Sequence, residues 1–404
     1  MKPCILFVDD QRKVLEGLRR GLRVMRGKWE MIFTDSARTA LEQMEMTPVD
    51  VIVSDMRMPE MGGAELLAEV EKRDPRVIRI ILSGQVDQDS AFRLLGTSHQ
   101  FLSKPCDSDT IVNVVERALG LRDLLTDTKL QALITSQHAL PTPPAIYDSL
   151  SEELRSQEPS LENVAKIVSQ DPGLTIKILQ LASSGYLSAG RSVSNPVEAV
   201  RHLGLARVEG LVVSHGAIFE REKFPLADAW LEDLWNHCVN CAGLAHAIAE
   251  KEGLDQKALE NAFVAGLLHD VGALVFAANE SEKYMDVTAH AAYENTARLE
   301  AERQEFGADH AVLGAYLVGL WGLPDAVVGA VAYHHTPLDR LSHNFDVVSA
   351  VHIAEALTQA LHGDHPDELH SGLDFDYLRK LNVEDRLPVW AKLFEKALRE
   401  SGQQ

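Results

Sequence analysis

Short continuous apolar runs alternate with amphipathic stretches over the first third of the chain, and amphipathic stretches alone follow. The runs Ile5 to Asp9, Glu30 to Thr34, Asp50 to Asp55, Arg79 to Ser83 and Gln100 to Ser103 are each bounded by turn residues, as buried parallel strands require. Between the first two, Val14, Leu15, Leu18 and Leu22 recur at helical spacing. Five such β-α units predict a doubly wound five-stranded parallel α/β sheet over residues 1–122. Next, Ile111, Val114, Ala118, Leu121 and Leu125 recur at alternating three- and four-residue spacing, predicting a helix continuous from Asp109 to Gln137. That helix either packs on its own sheet and runs on as a connector over 123–139, or offers a seam to a second copy in a homodimer. Leu140-Pro141-Thr142-Pro143-Pro144 stops it, because prolines lack the donor a helix needs. Beyond Pro144, Ser160 reads as a cap, and Pro172 and Pro324 open helices, so 140–404 reads as an all-α domain of roughly ten to thirteen helices.

Composition narrows the function classes. The chain is 46% hydrophobic and 25% charged, and its formal net charge of −21 argues against direct binding to nucleic acid or an anionic membrane, both of which select a basic face. No apolar stretch reads as long enough to span a bilayer, and the segment after Met1-Lys2-Pro3 runs into a strand rather than a leader, which predicts a cytoplasmic protein. Four cysteines in 404 residues do not make a disulfide framework.

The first candidate chemistry lies at the carboxyl ends of the predicted strands, the edge where open α/β sheets bind ligands. There stand Asp9 and Asp10, then Asp55 followed by Met56-Arg57-Met58-Pro59, then Ser83-Gly84, then Lys104-Pro105. An aspartate accepts a phosphoryl group only if charge repulsion is cancelled. Mg²⁺ held by Asp9, Asp10, Asp55 and the Arg57 carbonyl would do this, with Lys104 and Ser83 meeting the phosphoryl oxygens. Phe7-Val8-Asp9-Asp10, Ser54-Asp55-Met56-Arg57-Met58-Pro59, Leu82-Ser83-Gly84 and Phe101-Leu102-Ser103-Lys104-Pro105 resemble, in order and spacing, the receiver domains of response regulators. The resemblance implies a flavodoxin-like fold, Asp55 as phosphoacceptor, a sensor histidine kinase as donor and Phe101 as the aromatic switch residue.

The second candidate is a histidine set. Fourteen of the sixteen histidines follow Leu140, and His237, His269-Asp270, His310 and His334-His335 sit in or beside predicted apolar helices. Imidazole and carboxylate ligands on separate helices suit one or two transition metals and hydrolysis of a phosphoester. The stretches Leu140-Pro141-Thr142-Pro143, Gln170-Asp171-Pro172, Arg201-His202-Leu203-Gly204, Leu268-His269-Asp270-Val271-Gly272 and Leu320-Trp321-Gly322-Leu323-Pro324 resemble the HD superfamily and, within it, the HD-related output domain. Where that superfamily places its last aspartate ligand, this chain has His352, with Glu355 a turn away. Thr336-Pro337-Leu338 follows the histidine pair in place of the Gly-Tyr-Pro of the cyclic-dinucleotide phosphodiesterases. Two functions remain open here. One is an output domain acting on an unknown downstream protein by protein–protein interaction. The other is a phosphorylation-gated metal phosphohydrolase acting on a cyclic dinucleotide or nucleotide. Cys238-Val239-Asn240-Cys241 lacks the second pair a zinc site needs and reads as small core residues, as do Trp230, Trp235, Trp321 and Trp390 within their apolar patterns.

Overall fold

The computed structural model describes residues 2–84, 97–123, 125, 127–137, 140, 142, 144–183, 193, 195–215, 228–293, 298–340, 344–359 and 372–401. Its first unit is a parallel sheet of order β2-β1-β3-β4-β5, built from β1 (Cys4–Val8), β2 (Glu30–Thr34), β3 (Val51–Asp55), β4 (Ile78–Ser83) and β5 (Gln100–Ser103). Each strand lies within a residue of its predicted bounds. Because side chains alternate across a strand, one face gathers Ile5, Phe7, Val53, Ile80 and Leu82, and the other gathers Leu6, Val8, Ile52 and Ile81. Helices α2 (Ala37–Met46) and α3 (Gly63–Arg73) cover the second face, and α1 (Arg12–Gly21) and α4 (Ser108–Arg122) cover the first. The helix expected between β4 and β5 falls outside the described residues. Gly63 is dictated by the site: a Cβ there would stand 2.3 Å from the Asp55 carbonyl oxygen.

The predicted continuous connector is not what forms. Helix α4 ends at Arg122, and Asp127 caps a separate α5 (Thr128–Thr135) by accepting from the Lys129 and Leu130 amides. An N-cap aspartate with a fresh set of free amides starts a new helix rather than continuing an old one. Ile111, Ala118 and Leu125 of the expected seam are buried in the chain's own core, so periodicity here reports packing within one protomer. Helix α5 is docked on the sheet edge. The Thr135 carbonyl accepts from the buried Arg79 guanidinium at 2.7 Å and from His99 Nε2 at 2.8 Å, while His99 Nδ1 accepts from the Arg79 amide.

The remainder is helical. It runs through α6 (Pro144–Arg155), α7 (Leu161–Val168), α8 (Pro172–Ser183), α9 (Pro196–Leu203), α10 (Leu205–His215), α11 (Asp228–Lys251), α12 (Gln256–Leu268) and α13 (Val271–Asn279). It continues through α14 (Ser281–Tyr293), α15 (Arg298–Phe306), α16 (His310–Leu320), α17 (Asp325–Tyr333), α18 (Val347–Gln359), α19 (Phe375–Leu381) and α20 (Leu387–Ser401). That is fifteen α-helices among the described residues, more than sequence reading expected. Glycines with positive φ, such as Gly204 between α9 and α10, split long helical patterns into pieces. Ser160 caps α7 and Pro172 opens α8, as predicted.

One apolar segment is longer than the sequence reading allowed. Gln256–Asn279 is long and apolar enough to cross a bilayer, yet 89% of its most apolar window is buried inside the fold, where it forms α12 and α13 around His269-Asp270. Cys238 and Cys241 are buried free thiols, and burial pushes the Cys241 thiol above its usual pKa. Trp235, Trp321 and Trp390 are likewise buried, with Trp230 partly so.

Candidate phosphoacceptor and metal sites

At the carboxyl edge of the sheet, β1 delivers Asp9, β3 Asp55, β4 Ser83 and β5 the segment that leads to Lys104. The Lys104 ammonium donates to Asp9 Oδ2 at 2.5 Å and to Asp55 Oδ1, so three residues far apart in sequence share one crevice. Burial would lower the Lys104 pKa, but its bonds to Asp55 and Asp9 outweigh that and hold it above the usual lysine value. Asp55 Oδ2 accepts from the Arg57 amide at 2.8 Å, and Asp9 Oδ1 from the Gln11 amide at 2.9 Å. Both carboxylates are thus aimed by their own backbones. Asp10 Oδ1 is buried without a hydrogen-bond partner, which leaves a carboxylate oxygen available to a cation beside Asp9. This donor set fits Mg²⁺. The Ser83 hydroxyl sits 3.4 Å from Met56 Sδ, and Phe101 is half-buried between the two core faces.

The helical site draws on six elements. His237 lies in α11, His269 and Asp270 at the α12–α13 junction, His310 at the first residue of α16, His334 and His335 just past α17, and Glu355 in α18. They form two adjoining sets, His237–His269–Glu355 and Asp270–His310–His334–His335, each with its donor atoms within 4.8 Å of one another. Asp270 faces both sets, its Oδ1 lying 3.0 Å from His310 Nε2 and its Oδ2 3.9 Å from His269 Nε2.

What decides their character is where the other imidazole nitrogens point. His269 Nδ1 lies 2.7 Å from the Gly266 carbonyl, His334 Nδ1 2.8 Å from the Val331 carbonyl and His310 Nδ1 2.7 Å from Glu302 Oε2. A carbonyl or carboxylate only accepts, so the hydrogen-bond network places the proton on Nδ1 in all three and aims the Nε2 lone pairs inward. There His237 Nε2 and His269 Nε2 stand 3.1 Å apart and 2.7 and 2.9 Å from Glu355 Oε2. With the His269 lone pair and the Glu355 carboxylate both accepting, the centre of this set takes either a cation or a proton carried on His237 Nε2. His334 Nε2 is buried without a hydrogen-bond partner, and Asp270 Oδ1 and Glu355 Oε2 face imidazole nitrogens alone, as atoms reserved for a metal do. The donor set fits a pair of divalent transition metals.

The surrounding charges divide the ligands. Against burial, Cys241, Glu355 and Asp270 hold His269 well above its ordinary pKa, and Glu302 takes His310 up to about 9. These two give up a proton when they take a cation, while His334, His335, Glu355 and Asp270 are already in binding form. Burial, then the neighbouring imidazoles, holds His334 well below its ordinary pKa, and burial with His310 takes His335 down to about 3. Both are therefore neutral at physiological pH. Burial works against ionising Glu355 and Asp270, but His237 and His269 beside the one, and Arg298, His310 and His269 beside the other, hold both carboxylates well below their usual range. Glu302 is the support: it accepts from the His310 amide and imidazole at 2.7 Å, from Arg298 Nε at 3.0 Å and from the Tyr284 hydroxyl at 3.1 Å. Against burial, His310 first and then Arg298 take its pKa down to about 2.

Two family models match the chain, the response regulator receiver domain over residues 5–116 and the HDOD domain over residues 140–337. The chain belongs to the receiver–HDOD response regulators. This response regulator is 26% identical over 242 residues to an uncharacterized protein of Treponema pallidum (strain Nichols), which is 60% of the chain and 46% of that protein. It is 32% identical over 142 residues to the transcriptional regulatory protein GlrR of Escherichia coli (strain K12), covering 34% of the chain and 31% of GlrR. It thus spans less than half the length of these relatives. The crystal structure of the MmoQ response regulator from Methylococcus capsulatus shares its fold, with 22% identity, a TM-score of 0.50, and coverage of 63% of this chain and 98% of that one.

The structure of this response regulator joins Lys104 to Asp9 and Asp55 at the sheet edge, sets Ser83 against Met56, and gathers His237, His269, Asp270, His310, His334 and His335 in the helical site. Glu355, noted in the sequence a turn from His352, joins the helical set, and Glu302 is added to it. His352, which occupies the expected aspartate position, is not in the cluster. Its Nδ1 donates to the His334 carbonyl at 2.7 Å and its Nε2 accepts from the Asp374 amide at 3.0 Å, so both nitrogens are used. Glu355, three residues on and hence on the same helix face, supplies the carboxylate. Sequence reading missed Glu302. It sits among exposed charges in Arg298–Phe306, and no pattern marks it as the buried member.

Proposed function

We propose that this chain is phosphorylated on Asp55 by a sensor histidine kinase in the cytoplasm and that the phosphoryl group controls what the helical domain does. The observation that supports this reading is the bridging of Asp9 and Asp55 by Lys104 at the sheet edge, with an unpartnered Asp10 oxygen beside them. An Asp55 carboxylate oxygen attacks the phosphorus of a phosphohistidine. The P–O bond forms as the P–N bond breaks, and the imidazole leaves with its electron pair and takes up a proton. Lys104 balances the charge that accumulates on the transferred oxygens, and the Arg57 amide keeps Asp55 in line. Mg²⁺ held by Asp9, Asp10, Asp55 and the Arg57 carbonyl would neutralise the incoming phosphoryl group. The helical domain then presents or withholds a face for a downstream protein. A small phosphodonor with Mg²⁺ should leave an acid-stable, base-labile phosphate on the wild type, read by intact mass. Labelling that persists in Asp55→Ala would refute the assignment.

A second reading has its own support in the seven inward-facing donors. We infer that His237, His269 and Glu355 would hold one divalent metal and Asp270, His310, His334 and His335 another. Such a pair supplies Lewis acidity and an activated water for hydrolysis of a phosphoester such as a cyclic dinucleotide or nucleotide. Glu302 orients His310, and the Val331 and Gly266 carbonyls fix the tautomers of His334 and His269. Metal analysis of protein purified without chelator, with a hydrolysis assay on wild type and His269→Ala, tests this. Metal-free, inactive protein would leave the domain a partner-binding scaffold.

A further inference from the structure

Helices α16 and α17 form an antiparallel hairpin whose closed end reaches the receiver unit, at the amino end of β5, and whose open end reaches the helical site. Its closed end rests on the receiver. Gln100 Nε2 at the start of β5 donates to the Leu320 carbonyl at 3.0 Å, and Arg117 of α4 donates to the Leu323 carbonyl and pairs with Asp325 at 2.9 Å. Helix α16 approaches α4 so closely that a Cβ on Gly319 would stand 2.3 Å from Leu121 Cδ1. The open end of the hairpin carries His310, His334 and His335, three of the four donors of the Asp270 set. It is equally tight there, since a Cβ on Gly272 would meet the His310 carbonyl oxygen at 2.0 Å. His237, His269 and Glu355 stand on α11, α12 and α18, outside the hairpin.

An 11-residue helix is a strut about 15 Å long. Fixed at both ends by backbone-to-neighbour contact, it moves as a unit or not at all. Metal–ligand distances tolerate only about 0.2 Å, so a small shift of the strut changes affinity at the set it carries. Building on the metal-binding reading above, we propose that the receiver tunes the cation affinity of the Asp270–His310–His334–His335 set through this hairpin and leaves the His237–His269–Glu355 set unchanged. Linkage makes the effect mutual: a cation in that set alters the receiver's affinity for a phosphoryl analogue by the same factor.

The test is a Mn²⁺ titration of the full chain, with Mg²⁺ saturating the receiver, followed by the electron-spin signal of free Mn²⁺ with and without beryllofluoride. Two Mn²⁺ sites are expected, and the affinity of one should change by roughly 5- to 150-fold, the range of ordinary allosteric coupling. The responsive site should survive in His237→Ala and disappear in His335→Ala. Gln100→Ala combined with Arg117→Ala, which touches no donor, should retain both sites and lose the response. Two sites that ignore beryllofluoride, or a response that persists in the Gln100/Arg117 variant, would overturn the coupling and leave the metal reading standing. Absence of Mn²⁺ binding in either state would overturn both.

Discussion

The two sites are built in opposite ways. The receiver crevice takes each of its residues from the end of a strand, and the sheet alone sets their spacing. Asp9 and Asp55 are oriented by amides two residues away, so the site is local to its own loops. The helical site takes seven donors from six elements, all buried or nearly so, and needs a further residue, Glu302, to hold one of them. A site whose carboxylates are each held by their own loop can lose a side chain and keep its fold, whereas a polar cluster shared among many helices is part of what the fold is made of.

Removing each centre in turn should therefore give opposite results. Asp55→Ala should abolish acyl-phosphate formation entirely while thermal stability stays near wild type, and His269→Ala should keep full phosphate incorporation while metal content falls. Loss of labelling in His269→Ala would mean that the two sites are not separable. Glu302→Ala should cost about 1–3 kcal/mol in urea unfolding, because it leaves the buried His310 Nδ1 and amide without an acceptor, and Glu302→Gln should restore part of that. A cost below about 1 kcal/mol would show that the cluster is not structural.

Smaller effects are expected at the seam between the units. Lys177 is buried with its ammonium 4.7 Å above the Trp321 ring, and burial takes its pKa from 10.5 down to about 7. The folded protein thus holds this proton less tightly than the unfolded chain. The penalty is complete below pH 7 and fades as pH rises from 7 toward 10.5. Lys177→Met should raise the melting temperature by a few degrees at pH 6 and by much less at pH 10, and a gain that grows with pH would contradict this. Smallest of all, Asp10→Asn should change stability by less than about 1 kcal/mol, and toward greater stability, because the Asp10 oxygen has no partner to lose. Chemical denaturation with Mg²⁺ omitted reads it directly.

The same contrast explains what could be read from the chain. A strand end is marked in one dimension by an apolar run that stops at a polar residue, so Asp9, Asp55 and Ser83 could be placed together before any coordinates. Helical periodicity assigns a residue to a face but does not say which of the neighbouring helices that face meets. His237, His269 and His310 were therefore visible as candidates, while Glu355 lay hidden behind His352 and Glu302 among solvated charges. The heptad spacing from Ile111 to Leu125 had the same ambiguity: a stripe that suits a partner helix also suits the chain's own sheet and α16. The break at Asp127 was legible in principle, since an aspartate before Thr128 is a capping signal, but the apolar rhythm across it masked the stop.

Arg79 carries a consequence of its own. Its guanidinium is buried at the sheet edge and donates at 2.7 Å to the last carbonyl of α5, so lifting that helix away would strip a buried cation of its shortest hydrogen bond and leave it the Thr97 and Val77 carbonyls and Glu71 at 3.4 Å. The segment after Arg122 is in this sense a further helix-and-turn of the N-terminal unit rather than a leash between two others. A recombinant swap that cuts at 122 would carry away a receiver with an open wound, whereas a cut after Gln137 would take the whole transplantable piece.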